Sequence, residues 1–337
     1  MQYHCCAYNY SYIEQSMKKL LTKIALVAAG FTGVAYAQQD PQFTQFMFNK
    51  LIYNPGYAGT SGAICGVAQY RQQWVSFPGA PQSMAIAADM RLPGLPLGVG
   101  LNIMTDKIGA MSTFFARAAG AYNQKIGQGT LGIGIDVGIL QKQINANWLP
   151  PEQWVDPKIP GGALTYTNGD LNKITYDLGF GAFYQVPGKY YVGLSSTHLP
   201  AQAITSGDLG YKVSRHYYFM AGYTFNITPW LDIAPNLMYK TDISASSLDA
   251  NVNFTWFKMF WVGGTYRHND AGAILLGYQQ PFGVGNSTMA KIGYSFDFPA
   301  SKLAGYTSGT HELFLGVCYT PKVKKATTYT NDRYWGN

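Results

Sequence analysis

The sequence predicts an all-β protein: a transmembrane antiparallel β-barrel of about fourteen strands, with short turns at one end and long loops at the other. Three observations carry this prediction. Of 337 residues only 12% are charged, roughly half the usual share, while aromatics reach 15% and glycines number 38. Strict period-2 alternation recurs in segment after segment, apolar on one face and small or uncharged polar on the other, as a lipid-facing wall requires. The connections between these segments alternate between tight and long.

The first elements are not strands. Met17-Lys18-Lys19-Leu20-Leu21-Thr22-Lys23 is a basic n-region, Ile24 to Val34 an apolar run, and Ala35-Tyr36-Ala37 a small-x-small site. Together they read as a cleaved signal peptide over residues 1–37, its apolar part too short for a spanning helix. Residues 1–16, with Cys5 and Cys6, read as a mis-assigned start ahead of Met17, the alternative being a real N-terminal extension. Residues 38–60 do not alternate either. Phe43, Phe46, Phe48, Leu51 and Ile52 crowd together there, and the segment is expected either to tuck into the periplasmic mouth as a plug or cargo contact or to fill the lumen as a structural seal.

The barrel is expected over 61–319. Its candidate strands are 61–73, 80–91, 96–106, 111–124, 128–141, 172–186, 188–197, 213–226, 230–241, 246–257, 259–268, 270–280, 287–298 and 310–319. In 131–139, Leu131, Ile133, Ile135, Val137 and Ile139 alternate with Gly132, Gly134, Asp136 and Gly138. In 231–240, Leu231, Ile233, Leu237 and Tyr239 share one face; Asp232, Asn236 and Lys240 share the other. In 292–297, Ile292, Tyr294 and Phe296 oppose Gly293, Ser295 and Asp297. Most segments are near the roughly 9–11 residues that a tilted strand needs to cross a bilayer.

The even-numbered connections are tight: Leu92 to Leu95, Lys125 to Gly127, Pro187, Ile227 to Pro229, Lys258, and Pro281 to Asn286. The long ones, 142–171, 198–212 and 299–309, are all odd-numbered. That parity matches outer-membrane barrels, whose short turns are periplasmic, and an even strand count puts both termini on the periplasmic side. A tail over 320–337, with Lys322, Lys324, Lys325 and Arg333, reads as solvated or as a docking peptide. Tyr70, Trp74, Tyr122, Tyr184, Tyr190, Tyr217, Tyr218, Trp230, Tyr239, Trp256, Trp261 and Tyr266 gather near strand ends, as an interfacial girdle would.

Several short motifs lie on this frame. After the cleavage site comes Gln39-Asp40-Pro41-Gln42-Phe43-Thr44-Gln45-Phe46-Met47-Phe48-Asn49, then Tyr53-Asn54-Pro55-Gly56-Tyr57-Ala58-Gly59. Further on stand Tyr70-Arg71-x-x-Trp74, Gly79-Ala80-Pro81, Asp106-Lys107-Ile108-Gly109 and His311-Glu312-Leu313. In type and order these resemble the PorP/SprF family, outer-membrane proteins of the Bacteroidetes type IX secretion system. Phe46 stands where a Tyr is common, and Gly56 where an Ala is. The resemblance implies secretion or cell-surface attachment of sorting-domain cargo such as adhesins. It also implies contact with periplasmic type IX machinery.

Candidate plug or partner contacts are Phe43, Phe46, Phe48, Asn54, Pro55, Arg71 and Trp74. Arg71 shares a face with Gln69 and Gln73, which places it in the lumen, paired with a carboxylate such as Asp89 or Asp136. His198, His216, His268 and His311 show no ligand spacing and read as polar rim residues, so no metal or cofactor is expected. Cys65 and Cys318 read as two small lumen-facing side chains, although an oxidising compartment also permits a disulfide across the closing seam. No nucleophile–base constellation points to an enzyme. The net charge of +7 is scattered outside the leader and the tail, leaving no nucleic-acid footprint; the expected surroundings are outer-membrane lipid. The competing function is a porin or hydrophobic-solute transporter, since fourteen strands can enclose a channel.

Overall fold

The computed structural model describes residues 40–144, 171–206, 209–268, 270–300 and 305–321. The expected signal peptide, most of the 142–171 loop and the tail from residue 322 lie outside the described residues. The strands are β1 (Ile64–Gln72), β2 (Gln82–Arg91), β3 (Leu97–Ile108), β4 (Met111–Ile126), β5 (Gly129–Ile144), β6 (Leu171–Val186), β7 (Tyr190–Thr197), β8 (Ala203–Ser206) and β9 (Leu209–Lys212). They continue as β10 (His216–Tyr223), β11 (Phe225–Thr228), β12 (Leu231–Thr241), β13 (Ser246–Trp256), β14 (Phe260–Arg267), β15 (Ala271–Phe282), β16 (Thr288–Pro299) and β17 (Thr310–Tyr319). β8 and β9 pair with each other, a small hairpin inside a loop that the sequence leaves irregular. β10 and β11 follow one another along β12 and make a single stave. With β1 paired to β17, the result is a closed antiparallel barrel of 14 strands.

The alternation is inside out relative to a soluble protein. In β5, Ile135 is 63% exposed on the outer face, whereas its neighbour Asp136 is 2% exposed in the lumen. An outer face this apolar needs lipid as its solvent, and closure leaves no unpaired strand edge inside it. Tyr122, Tyr217, Trp230 and Tyr266 stand on the outer face, as a girdle requires. Tyr218 and Trp261 are corrections to that girdle. Their register turns them inward, where they pack on Tyr53 and Phe48.

The turns after β2, β4, β6, β11, β13 and β15 cluster at one end of the barrel, and the connections after β1, β3 and β12 at the other. Cys65 lies directly opposite Cys318 in the β1–β17 pair, with Cα atoms 4.1 Å apart, and the two form a disulfide. This corrects the sequence reading of two separate small side chains. The bond depends on the seam register, which residue spacing does not reveal.

Candidate functional site

The lumen is filled by the segment that precedes β1. It begins at Asp40 in the long-loop half, beside His198 and His216, and descends to residues 59–63 at the short-turn end, where β1 starts upward. The sequence offers two places for this segment, the short-turn mouth or the lumen itself, and expects both chain ends on the short-turn side. In the described residues the segment runs down the lumen, with Asp40 toward the long loops and Thr320 bonded to Ser287 at the short-turn end. Phe43, Phe46, Leu51, Ile52 and Tyr53 are buried against inward side chains such as Met104, Phe115, Met220 and Leu275. The hydrophobic core therefore sits inside the barrel, and this segment supplies its centre.

Four sets of contacts fix the segment. At its upper part, the backbone N–H groups of Thr44 and Gln45 donate to the Glu312 carboxylate at 2.7 and 2.9 Å. The Thr44 hydroxyl donates to Asp297 and accepts from Arg71 at 2.7 Å. Arg71 bridges Asp297 at 2.7 Å and Glu312 at 3.0 Å, while Arg267 pairs with Asp249 at 3.1 Å and approaches Asp297 at 3.5 Å. All of these charges are buried, and several are joined by charge-assisted hydrogen bonds. Arg71 is thus lumenal as expected, but its partners are not Asp89 or Asp136. Glu312 lies directly across the seam from Arg71; Asp89 lies opposite Cys65, six residues down the strand; and Arg117 occupies the neighbourhood of Asp136.

The second set is aromatic. Phe48 stacks on Phe314 at 4.8 Å and tilts against Trp261 at 5.2 Å. The third is the Tyr53-Asn54-Pro55-Gly56 turn. The Asn54 side chain accepts from Gly56 N–H at 2.9 Å and donates to the carbonyls of Ala182 at 3.0 Å and Leu194 at 3.1 Å, tying the turn to β6 and β7. Pro55 opens the 3-10 turn and lies flat on β5 and β6, where the wall is glycine. A Cβ on Gly134 would stand 2.6 Å from the Pro55 carbonyl oxygen, and one on Gly56 would stand 2.8 Å from two wall carbonyls. Backbone lies on backbone because neither surface carries a side chain. Lower down, Gly59 N–H donates to Asp89 at 2.9 Å and Asn123 donates to the Ala58 carbonyl at 3.0 Å.

The fourth set surrounds Asp40. Its carboxylate meets His198 Nε2 at 3.0 Å and accepts from Tyr218 OH at 2.7 Å, and its backbone N–H donates to His216 Nε2 at 3.3 Å. His198 and His216 are 1% and 3% exposed, so they are not the solvated rim residues that the sequence suggests. Burial would push the His198 imidazolium down, but the Asp40 and Asp177 carboxylates raise it to about 9. Burial would likewise raise Asp40, yet His198 and His216 hold its carboxyl well below the usual value. Among the described residues, Asp40, His198 and His216 are a group able to hold a metal ion, with ligand atoms within 4.8 Å of one another.

Of the residues singled out from sequence, Phe43, Phe46, Phe48, Asn54, Pro55 and Arg71 are brought together by this segment. Trp74 is not. It lies in the loop after β1 with φ 51°, its N–H on the Thr310 hydroxyl at 3.1 Å. Sequence reasoning set Asp297 on the face opposite Ile292 without giving it a partner, and missed Arg267, Asp249 and Arg117 as lumenal charges. The available signal was their register, since each falls on the inward face of its strand.

A family described as type IX secretion system membrane protein PorP/SprF matches residues 35–317. No curated protein sequence matches the chain. Among solved structures, the chain is similar to a FadL homologue of Pseudomonas aeruginosa (9% identity, 79% of this chain and 93% of that chain, TM-score 0.48). It is also similar to the toluene transporter TodX of Pseudomonas putida (9% identity, 87% and 96%, TM-score 0.48). A third is the toluene transporter TbuX of Ralstonia pickettii (12% identity, 80% and 92%, TM-score 0.45).

Proposed function

The chain belongs to the PorP/SprF family of type IX secretion system membrane proteins, and from that premise we propose that it serves secretion or cell-surface attachment of sorting-domain cargo such as adhesins. In this reading it works as a plugged barrel, neither an enzyme nor an open pore. The observation that supports the reading is the occupied lumen, where Phe43, Phe46 and Asn54 are fully buried. A porin keeps a water-filled passage, whereas here the segment fills the middle of the lumen and separates a cavity of about 250 Å³ beside Asp40 from one of about 370 Å³ beside Lys50 and Lys291. The short turns and the end of β17 would face the periplasm and meet the secretion machinery. The long loops would face outward, toward cargo, with the apolar wall in outer-membrane lipid between them.

The test is isolation of the full chain from its native outer membrane in mild detergent. Sorting-domain proteins and periplasmic type IX components are expected to co-purify, and recovery of the barrel alone would sink the proposal. In planar bilayers the protein is expected to conduct weakly; a steady open-pore current would favour the porin reading instead.

A further inference from the structure

We propose that Asp40, His198 and His216 form a binding site for one divalent transition-metal ion of the zinc class, which joins the start of the lumenal segment to the barrel wall. The argument rests on how the two imidazoles are held. His198 Nδ1 lies at ion-pair distance from the Asp177 carboxylate, 3.0 Å away without hydrogen-bond geometry, and His216 Nδ1 donates to the Ser214 carbonyl at 3.0 Å. Each ring therefore turns its Nε2 toward the same place, the Asp40 carboxylate and the adjoining main chain. A histidine whose Nδ1 is fixed by a carboxylate or carbonyl while Nε2 points at a shared centre is the arrangement that orients metal-ligating histidines.

A simple ion pair accounts for less of this geometry. Asp40 needs one imidazolium to satisfy its charge, and His198 already supplies it at 3.0 Å. His216 Nε2 then accepts a 3.3 Å bond from a backbone N–H, with its lone pair aimed into the cluster. The second Asp40 oxygen is steadied by Tyr218 OH at 2.7 Å, as ligating carboxylates commonly are. Two imidazoles and one carboxylate suit zinc-class ions, and suit calcium or magnesium poorly because those ions prefer all-oxygen sites. An ion would replace the proton between His198 and Asp40. A cavity of about 250 Å³, lined by the same three side chains with Asp106, Lys142 and Met111, provides the access path and room for further ligands. His198 itself adopts φ 55°, a strained conformation for a non-glycine residue, and so is held against its own backbone preference.

The test uses the untagged full-length mature barrel in detergent, stripped with EDTA and titrated with Co(II) alone, then with Zn(II) as competitor. One Co(II) per barrel is expected, with visible ligand-field absorption that Zn(II) abolishes. His216→Ala and Asp40→Asn are each expected to weaken binding at least ~10-fold. Asp40 lies on the lumenal segment rather than in a strand, so Asp40→Asn remains informative even if His216→Ala does not fold. Circular dichroism and heat-dependent gel migration verify each barrel. Absence of bound Co(II), or equal affinity in wild type and a folded variant, overturns the proposal and leaves the cluster as an ion-pair latch.

Discussion

Replacing Gly134 with alanine tests whether the glycine face of the wall is what seats the lumenal segment. The new Cβ would stand 2.6 Å from the Pro55 carbonyl oxygen and 2.8 Å from Gly56 N, where ordinary contact begins at 3.4 Å. The Tyr53–Gly56 turn would have to retreat by several tenths of an ångström while Asn54 remains tied to β6 and β7. Overpacking of this kind costs about 1–3 kcal/mol. The strand itself does not suffer, since alanine is favoured over glycine within a strand by roughly 0.5–1 kcal/mol. A shift near 2 kcal/mol against the seated state raises the unseated fraction about 30-fold. Single-channel recording in planar bilayers reads this as more frequent open events. The control is Gly120→Ala on β4, where an added Cβ meets nothing within 4 Å. If the two variants give the same traces, with both barrels folded by heat-dependent gel migration, the glycine wall does not seat the segment.

The remaining predictions concern its other anchors. Arg71→Ala removes the closest cation from the buried Asp297 and Glu312 carboxylates, leaving Arg267 at 3.5 Å from Asp297, and is expected to destabilise the barrel by about 3–5 kcal/mol in urea unfolding followed by tryptophan fluorescence. A loss below ~1 kcal/mol would contradict the charge clamp. Asn54→Ala removes two bonds to the wall and the Gly56 cap, at about 1–3 kcal/mol, and hydrogen exchange over residues 50–60 is expected to accelerate while β6 and β7 stay protected. Unchanged exchange there would dismiss that anchor. Cys65→Ser opens a loop of sequence separation 253 and is expected to cost about 2–4 kcal/mol. A reductant should lower the unfolding temperature of the wild type and leave that of the variant alone; equal sensitivity in both would count against the bond.

The wall was legible in the sequence and its contents were not, for a physical reason. Strand existence depends on period-2 alternation within about ten residues, so 131–139 declares itself as β5 without reference to anything distant. The turn parity adds a global check, and together they yield the fourteen staves. What lies in the lumen depends on which inward positions meet across the closed ring. Arg71 is visibly inward, but the identity of Glu312 as its partner follows from β1 pairing with β17. His198 and His216 flank one loop, but Asp40 stands 158 residues before the first of them, so only the path of the lumenal segment unites the three. Gly132 and Gly134 read from sequence only as the small face of an alternating strand. They are seats for a second backbone.

The disulfide between Cys65 and Cys318 makes everything from the first strand to the last one covalent hoop. A protease that nicks any exposed loop within that hoop leaves a single molecule under oxidising conditions, parted only by reductant. The hoop also bars one form of partnership. The β1–β17 junction, where a barrel's chain ends meet, is the natural place for a foreign strand to slip in. Here such a strand would have to push past a bond, so a guest is confined to the two mouths or the outer wall unless thiol chemistry first unlocks the junction.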